Sequence, residues 1–353
     1  MADPLRTAIV GAGIGAQHLE AYRALPDRFE VTAICDLDLF RTRAIAGELT
    51  VTDDFESLLA DPDLDIVDIC LPPHLHTEAI LASLAAGKHT ICEKPLATSL
   101  AEIDRIEVAE AASTARVFPV FQYRFGPAAR ALSALRDGGF LGTPLAAALE
   151  THWNRGGDYY AVPWRGTWAG EMGGAILGHA IHAHDWLSFA MGPVASVFAR
   201  LATRANPIEV EDCAALALTL TDGTPVTSSV TLGAASDTTR IRLVYQNLTA
   251  ESGTNPYKPA EGEWAYLARD PTRQPEVDAI VASSQEGPNG YAGLFAAISD
   301  ALSGAPSGPV TLADARASIE LVTAIYASAR DDRPVSLPVA SGEPFRQSWL
   351  PAL

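Results

Sequence analysis

The chain has 353 residues, 48% of them hydrophobic and 19% charged, with 43 acidic against 25 basic side chains and a formal net charge of −18. That net charge argues against a nucleic-acid backbone as partner, the scattered acidic residues read as a solvated surface rather than an acidic tail, and no apolar run is long enough to span a bilayer. The opening Met-Ala-Asp-Pro has neither the basic region nor the apolar segment of a signal peptide, so a cytoplasmic protein is expected, with length enough for two domains.

Leu5 to Val10 reads as a short strand that runs straight into Gly11-Ala-Gly-Ile-Gly-Ala16, a G-x-G-x-x-A turn opening a helix through His18, Leu19 and Tyr22. Gly11 permits the tight turn, Gly13 lets the backbone approach a pyrophosphate, and Ala16 keeps helix and strand close. The helix N-terminus offers N–H groups and positive potential to the phosphates. The next strand, Phe29 to Cys35, ends in Asp36, 20 residues beyond Ala16. A carboxylate there bonds the adenosine ribose hydroxyls and repels a 2′-phosphate, so NAD is expected over NADP. Arg41 and Arg43 on the following helix could soften that choice, and Asp36 could be a helix cap instead.

Asp65 to Leu71 is a buried strand, Pro72-Pro-His-Leu-His76 a loop leading to a helix over 78–86, and 89–92 a further strand. That strand continues into Cys92-Glu-Lys-Pro95, where Pro95 blocks further pairing. Lys94 therefore stands at the lip of a parallel sheet, the edge at which open α/β sheets bind ligands. Only Lys88 and Lys258 accompany it in the whole chain. A helix over about 99–114 and a strand over 117–122 complete a doubly wound parallel sheet. Cys35, Cys70 and Cys92 end apolar strands and, with Cys213, fit no zinc spacing; buried, reduced thiols are expected.

After Gln122-Tyr-Arg124 and a helix over 127–137 the pattern changes. Strands over 144–153, 194–203, 211–220, 225–232 and 239–246 follow, with Asp222-Gly223 as a hairpin signal. Consecutive strands without intervening helices imply a separate α+β domain built on an open antiparallel sheet. Residues 249–290 read as loop, 291–303 and 311–329 as helices, and 331–353 as a Pro-rich tail; the expected domains are 1–123 and 124–353.

Met172 to Trp186 gathers His179, His182, His184 and Asp185 on what reads as one helix. Spacing of three puts His179 with His182, and His182 with Asp185, on shared faces. Clustered histidines raise a metal reading, but no His-x-x-Glu-His or cysteine partners appear, so no metal is expected. A histidine with a pKa of about 6.5 suits the removal of an alcohol proton at neutral pH; a satisfied helix histidine is the plainer alternative. Trp153, Tyr159, Tyr160, Trp164, Arg165 and Trp168 precede this segment. Aromatics with arginine and Asn154 suit a sugar ring, or are simply core.

The glycine turn, the Pro72-Pro-His-Leu-His76 loop, Cys92-Glu-Lys-Pro95 and the histidine segment, in this order and spacing, resemble the Gfo/Idh/MocA oxidoreductases, the group of glucose–fructose oxidoreductase and inositol dehydrogenase. The resemblance covers most of the chain. It implies an NAD-dependent enzyme moving a hydride between nicotinamide and a secondary alcohol or ketone of a sugar, cyclitol or polyol derivative. It places Gly11, Gly13, Ile14, Gly15 and Asp36, with Pro72, His76, Glu93 and Lys94, around the cofactor. It places Arg124, His182 and Asp185 around the substrate, where the aromatic segment adds Trp164 and Arg165 as candidates, and its open sheet implies a homodimer or homotetramer. The family's catalytic group is the lysine of Glu-Lys-Pro with the Asp and His of Gly-Gly followed by Asp-x-x-x-His-x-x-Asp. His182 and Asp185 match, but the first Asp is Gly178, with His179 beside it. The group thus becomes Lys94 and His182, the Asp role being vacant or taken by His179. A glycosidase or epimerase with transient oxidation, and a non-catalytic nucleotide-sensing regulator, stay open as alternatives.

Overall fold

A computed structural model describes residues 3–351; Met1 and Ala2 of the opening stretch, and the last two residues of the expected tail, lie outside the described residues. The chain divides into two compact units, Met1–Gln122 with Tyr291–Arg316, and Tyr123–Gly290 with Ala317–Leu353.

The first unit alternates strands and helices: β1 (Leu5–Val10), α1 (Gly15–Arg23), β2 (Phe29–Cys35), α2 (Leu39–Ala46), β3 (Thr50–Thr52), α3 (Phe55–Leu59), β4 (Ile66–Ile69), α4 (His76–Ala85), β5 (His89–Cys92), α5 (Leu100–Ala111) and β6 (Val117–Pro119). The sheet is six-stranded in the order β3-β2-β1-β4-β5-β6, and every pair is parallel. Short apolar runs such as Ile66-Val-Asp-Ile69, buried at every position, are what a sheet covered on both faces requires. The short β3 was not expected; only three residues pair. The strand order reverses between β1 and β4, so a crevice opens beyond their carboxyl ends, beside Gly11 and Cys70.

The second unit contains α6 (Pro127–Asp137), β7 (Pro144–Asn154), the single turns α7 (Gly157–Tyr160) and α8 (Trp168–Glu171), α9 (Ile181–Met191), β8 (Val194–Ala202), β9 (Cys213–Leu220), β10 (Pro225–Thr231), β11 (Gly233–Tyr245), β12 (Leu248–Ser252), β13 (Trp264–Ala268) and α10 (Gln274–Ser283). Two expectations change here. The eight-stranded sheet, β13-β12-β11-β7-β10-β9-β8-β14 with β14 at Val335–Ser336, is mixed rather than antiparallel. β7 inserts between β10 and β11, which run in opposite directions, so it must lie parallel to one of them, and that one is β10. Residues 249–290 are not a loop: β12 and β13 pair antiparallel and α10 follows. Strands of five residues flanked by Gly and Pro carry too short a pattern to stand out.

The expected boundary also shifts. α11 (Gly290–Leu302) and the start of α12 (Leu312–Asp331) belong to the first unit through residue 316. Phe295 stacks on Tyr22 of α1 at 4.2 Å and 6°, and Arg28 meets Asp300 at 2.5 Å. Arg316 bonds both carboxylate oxygens of Glu107, at 2.5 and 2.7 Å, and also contacts Asp104. Apolar periodicity alone does not say which sheet a helix covers. Phe295→Ala should therefore destabilise the first unit by about 3–5 kcal/mol, read by thermal unfolding; a melt within a degree or so of the parent would refute the packing role assigned to 291–316.

Candidate functional site

At the end of β1 the chain turns through Gly11, whose φ of +107° belongs to glycine, and a side chain there would collide with the carbonyl of Cys70. Gly13 faces open space within 4 Å, leaving its backbone approachable. Gly15, more than Ala16, is where helix and strand meet: a Cβ on Gly15 would stand 2.7 Å from Ile9. Ile14 forms the N-terminal boundary of α1. Asp36 lies at the neighbouring strand end, accepting N–H bonds from Ala12 at 2.6 Å and Asp38 at 2.8 Å, with Arg41 at 3.1 Å. Burial alone would raise the Asp36 carboxyl, but these N–H groups and the Arg41 guanidinium outweigh it and hold it below its ordinary value. The arrangement fits a dinucleotide: a bare turn, a helix N-terminus and an ionised carboxylate one strand away.

Pro72 opens the single turn Pro73–Leu75. His76 is fully buried, and its ring nitrogens lie 2.8 Å from the carbonyl oxygen of Pro95 and 2.7 Å from that of Leu71. The ring ties together the loops after β4 and β5. The other two lysines are accounted for structurally: Lys88 donates to the carbonyls of Asp61 and Leu64 at 2.6 and 2.8 Å, and Lys258 pairs with Glu261 at 3.6 Å. Lys94 is half-buried at the end of β5, and its backbone N–H donates to the Glu93 carboxylate at 3.0 Å.

Beneath Glu93 lies a cluster that motif spacing does not show. His18 is fully buried, with Nδ1 2.8 Å from Asp68 and Nε2 3.2 Å from Glu93. Donor atoms of His18, Asp68 and Cys70 lie within 4.8 Å of one another, as three metal ligands would. Both ring nitrogens are already engaged by carboxylates, however, and burial pushes the Cys70 thiol up to about 12, far from the thiolate a metal needs. The cluster is a closed hydrogen-bond network.

In the second unit the expected single helix is two pieces, a π-helical turn over Ile176–Ala180 followed by α9. Such turns recur at functional sites. Here it parts the histidines that a 3.6-residue period would place together. His182 stacks on Tyr123 at 4.3 Å and 18°, whereas His179 approaches Trp153 edge-on at 5.2 Å and its Nε2 lies 3.3 Å from the Tyr159 hydroxyl. Along the same face of α9, Trp186 donates to the Tyr123 carbonyl at 2.8 Å, and Asp185 takes Arg124 in a bidentate pair at 2.8 and 2.5 Å. Arg124 and Asp185, both expected at the substrate, thus meet each other. His184 donates or accepts with Ser228 at 2.9 Å, and burial lowers its pKa to about 4; it is a core residue.

Arg165 contacts the Tyr159 hydroxyl, pairs with Glu171 at 3.2 Å and lies over the rings of Tyr159 and Trp164 at 4.1 and 4.4 Å. A shallow cavity of ≈ 530 Å³ is lined by Asn154, Arg155, Gly156, Gly157, Asp158 and Tyr159. At Gly178 an added Cβ would meet nothing within 4 Å, so the position has room for a side chain it does not carry.

Sequence reading also missed Glu211. Its buried carboxyl accepts from the N–H groups of Gly174 at 3.1 Å and Ile176 at 3.0 Å and from the Tyr326 hydroxyl at 2.9 Å, while its carbonyl accepts from Ala175 at 2.8 Å. A side chain on Gly174 would collide with that carbonyl, which is why Gly174 precedes the histidines. An acidic pair, Glu211-Asp212, just before an apolar strand was the available signal.

Residues 5–121 match a family model described as an oxidoreductase family with NAD-binding Rossmann fold, and residues 129–251 match the GFO/IDH/MocA C-terminal domain. Inositol 2-dehydrogenase of Acidothermus cellulolyticus is 37% identical over 150 residues, 41% of this chain and 44% of that protein. An uncharacterised oxidoreductase of Synechocystis is 29% identical over 251 residues, 64% of this chain and 65% of its own length. The match thus spans less than two thirds of either relative. The WlbA dehydrogenase of Chromobacterium violaceum, solved with NADH and UDP-GlcNAcA, superposes with a TM-score of 0.84 at 26% identity, covering 96% of this chain and 98% of that one. Among the described residues no helix is long and apolar enough to cross a membrane.

Burial raises the Glu211 carboxyl from 4.5 to about 7, against the pull of the N–H groups of Ile176 and Gly174 and the Tyr326 hydroxyl. Between those values the folded chain keeps a proton that the unfolded chain releases, so this group's contribution to stability falls as pH rises. Glu211→Gln removes the titration. Its Tm relative to the parent should rise between about pH 5 and about pH 8; a Tm difference flat over that interval would show that burial does not hold the proton.

Proposed function

Because this chain belongs to the Gfo/Idh/MocA oxidoreductase family and carries its NAD-binding Rossmann domain, we propose that it is an NAD-dependent dehydrogenase or reductase acting on a secondary alcohol or ketone of a sugar, cyclitol or polyol derivative. The observation that carries the reading is the sheet edge of the first unit: the bare turn at Gly11 and Gly13, the ionised Asp36 and the half-buried Lys94 all stand at carboxyl ends of parallel strands. Nicotinamide, when bound, accepts or returns a hydride. Asp36 takes the ribose hydroxyls, its carboxylate paired with Arg41 at 3.1 Å. Lys94 donates a hydrogen bond to the reacting oxygen and stabilises its developing charge. His182, its ring orientation set by the stack on Tyr123, takes or returns the proton. His179, tied to Tyr159, stands beside Gly178 where the family has an aspartate.

The substrate in this reading is an uncharged ring. Arg124, Arg155 and Arg165 each already face a carboxylate, Asp185, Asp237 and Glu171, so the aromatic-rich segment offers hydrogen bonds and ring faces rather than surplus positive charge. This differs from the nucleotide-linked sugar acid bound by the WlbA neighbour.

NADH formation measured against sugars, inositols and glycosides should identify a substrate, and Lys94→Ala should lower its turnover by roughly a hundredfold or more with NAD binding retained. Glycoside consumption without net NADH would redirect the reading to transient oxidation. NAD binding without turnover on any compound would favour a regulator and make Gly178 its mark. A second expectation concerns assembly. The outer face of the large sheet carries exposed small residues, Ala148, Ala215, Ala217, Thr227 and Ser229, on which another sheet can lie closely. We propose a homodimer or homotetramer; a monomer mass by light scattering at micromolar concentration would contradict it.

A further inference from the structure

The network under Glu93 touches the motifs only at Glu93 itself, yet it gathers buried titratable groups in the first unit. His18 and Asp68 are fully buried and Glu93 nearly so. The imidazole Nδ1 lies 2.8 Å from Asp68 and Nε2 3.2 Å from Glu93. A neutral imidazole donates through one nitrogen only; with both carboxyl groups ionised, two carboxylates on two ring nitrogens call for the doubly protonated ring. The surroundings agree. Burial is the largest single influence and opposes the charge, but the charges and hydrogen bonds of Asp68 and Cys70 together outweigh it, and the pKa of His18 stands well above its ordinary value.

The remaining partners are hydroxyl donors. Tyr22 of α1 donates to Asp68 at 3.0 Å, and Tyr291 of α11 donates to Glu93 at 3.1 Å. Cys70 of the strand end after β4 lies 3.4 Å from the imidazole Nδ1, and the rings of Tyr291 and Phe295 close the cluster at 4.5 and 5.3 Å. The Glu93 carboxylate is thereby used at both oxygens, Oε1 by His18 and Tyr291, and Oε2 by the backbone N–H of Lys94 at 3.0 Å. An apolar core of the same volume is often as stable as a buried ion network or more so. What the network supplies that an apolar core does not is a fixed carboxylate beside Lys94.

We propose that His18 is a positioning residue for Lys94: held as a cation between Asp68 and Glu93, it locks the Glu93 side chain, which with Tyr291 fixes the backbone from which Lys94 projects. The proposal rests on the reading of Lys94 as catalytic for its consequence, but not for its geometry. Misplacement of a reacting group by about 1 Å costs on the order of a hundredfold in rate, so loss of the clamp should lower kcat while leaving NAD binding and KM nearly unchanged. Removing the ring's second proton removes the bond to Glu93, so kcat of the parent should fall at alkaline pH and its gap to His18→Gln should narrow.

The scarcity of lysine supplies a readout that needs no substrate. Reductive methylation with carbon-13 labels Lys88, Lys94 and Lys258 together with the chain's amino terminus, and Lys94→Arg identifies the Lys94 signal by NMR. In His18→Gln and in the milder Tyr291→Phe, the shift and titration midpoint of Lys94 should move while those of Lys258 stay in place. Turnover should fall roughly tenfold or more in His18→Gln, and His18→Gln combined with Lys94→Ala should be no slower than Lys94→Ala alone. If His18→Gln does not fold, the Lys94 signal and the alkaline limb of kcat in Tyr291→Phe decide. An unmoved Lys94 resonance in every folded variant overturns the proposal. Full turnover by Lys94→Ala, with the resonance moved, overturns the catalytic reading and leaves the positioning intact.

Discussion

A carboxylate in the middle of a doubly covered parallel sheet has to be met by partners, because its desolvation costs several kcal/mol and water does not reach it. Asp68 is that carboxylate, in the strand Ile66-Val-Asp-Ile69. His18 and Tyr22, four residues apart on α1, reach it from one side. The cation this creates needs a second carboxylate, Glu93, and Glu93 needs Tyr291 from α11. One acidic residue thus dictates the inner face of the first helix and the identity of the residue before Lys94. It also accounts for why a segment nearly 200 residues downstream docks here, 291 lying 198 positions beyond 93.

The second unit repeats the logic with a different chemistry. Gly174 and Ile176 present backbone N–H groups at the start of the histidine segment, and Glu211 with Tyr326 takes them. The face of α9 at 182, 185 and 186 then receives Tyr123 and Arg124. Each histidine of the segment ends with a different neighbour: Tyr159 for His179, Tyr123 for His182, Ser228 for His184. The π-turn is what lets residues three apart serve separate surroundings.

Much of this was legible in the residues, and the limits have physical causes. The glycine turn, Asp36 and the strand-end lysine declare themselves because their chemistry demands particular residues at particular spacings. The mixed sheet and the strands within 248–268 were not legible, since pairing partners lie far apart in sequence and five-residue strands hold little periodicity. His76 read as a cofactor contact because it stands at the strand-end edge; its carbonyl partners, Leu71 on its own loop and Pro95 on the loop after β5, are set by the fold. His18 passed as an ordinary helix residue, though Asp68 in an otherwise apolar strand was a warning that some buried cation had to exist.

The first unit is assembled from two separated lengths of chain, and this orders events in time. Its sheet is complete once residue 119 has formed β6, but the ring of Phe295 and the hydroxyl of Tyr291 arrive only after β7 to β13 of the second unit have been made. A chain emerging from the ribosome therefore carries a nearly finished nucleotide fold whose His18–Glu93 contact lacks its last donor and whose Tyr22 is bare on one face. That unit completes itself late, by closing a loop from residue 123 to residue 290, a long-range step of the kind that slows folding. The chain must be made as far as residue 316 before its smaller part is finished.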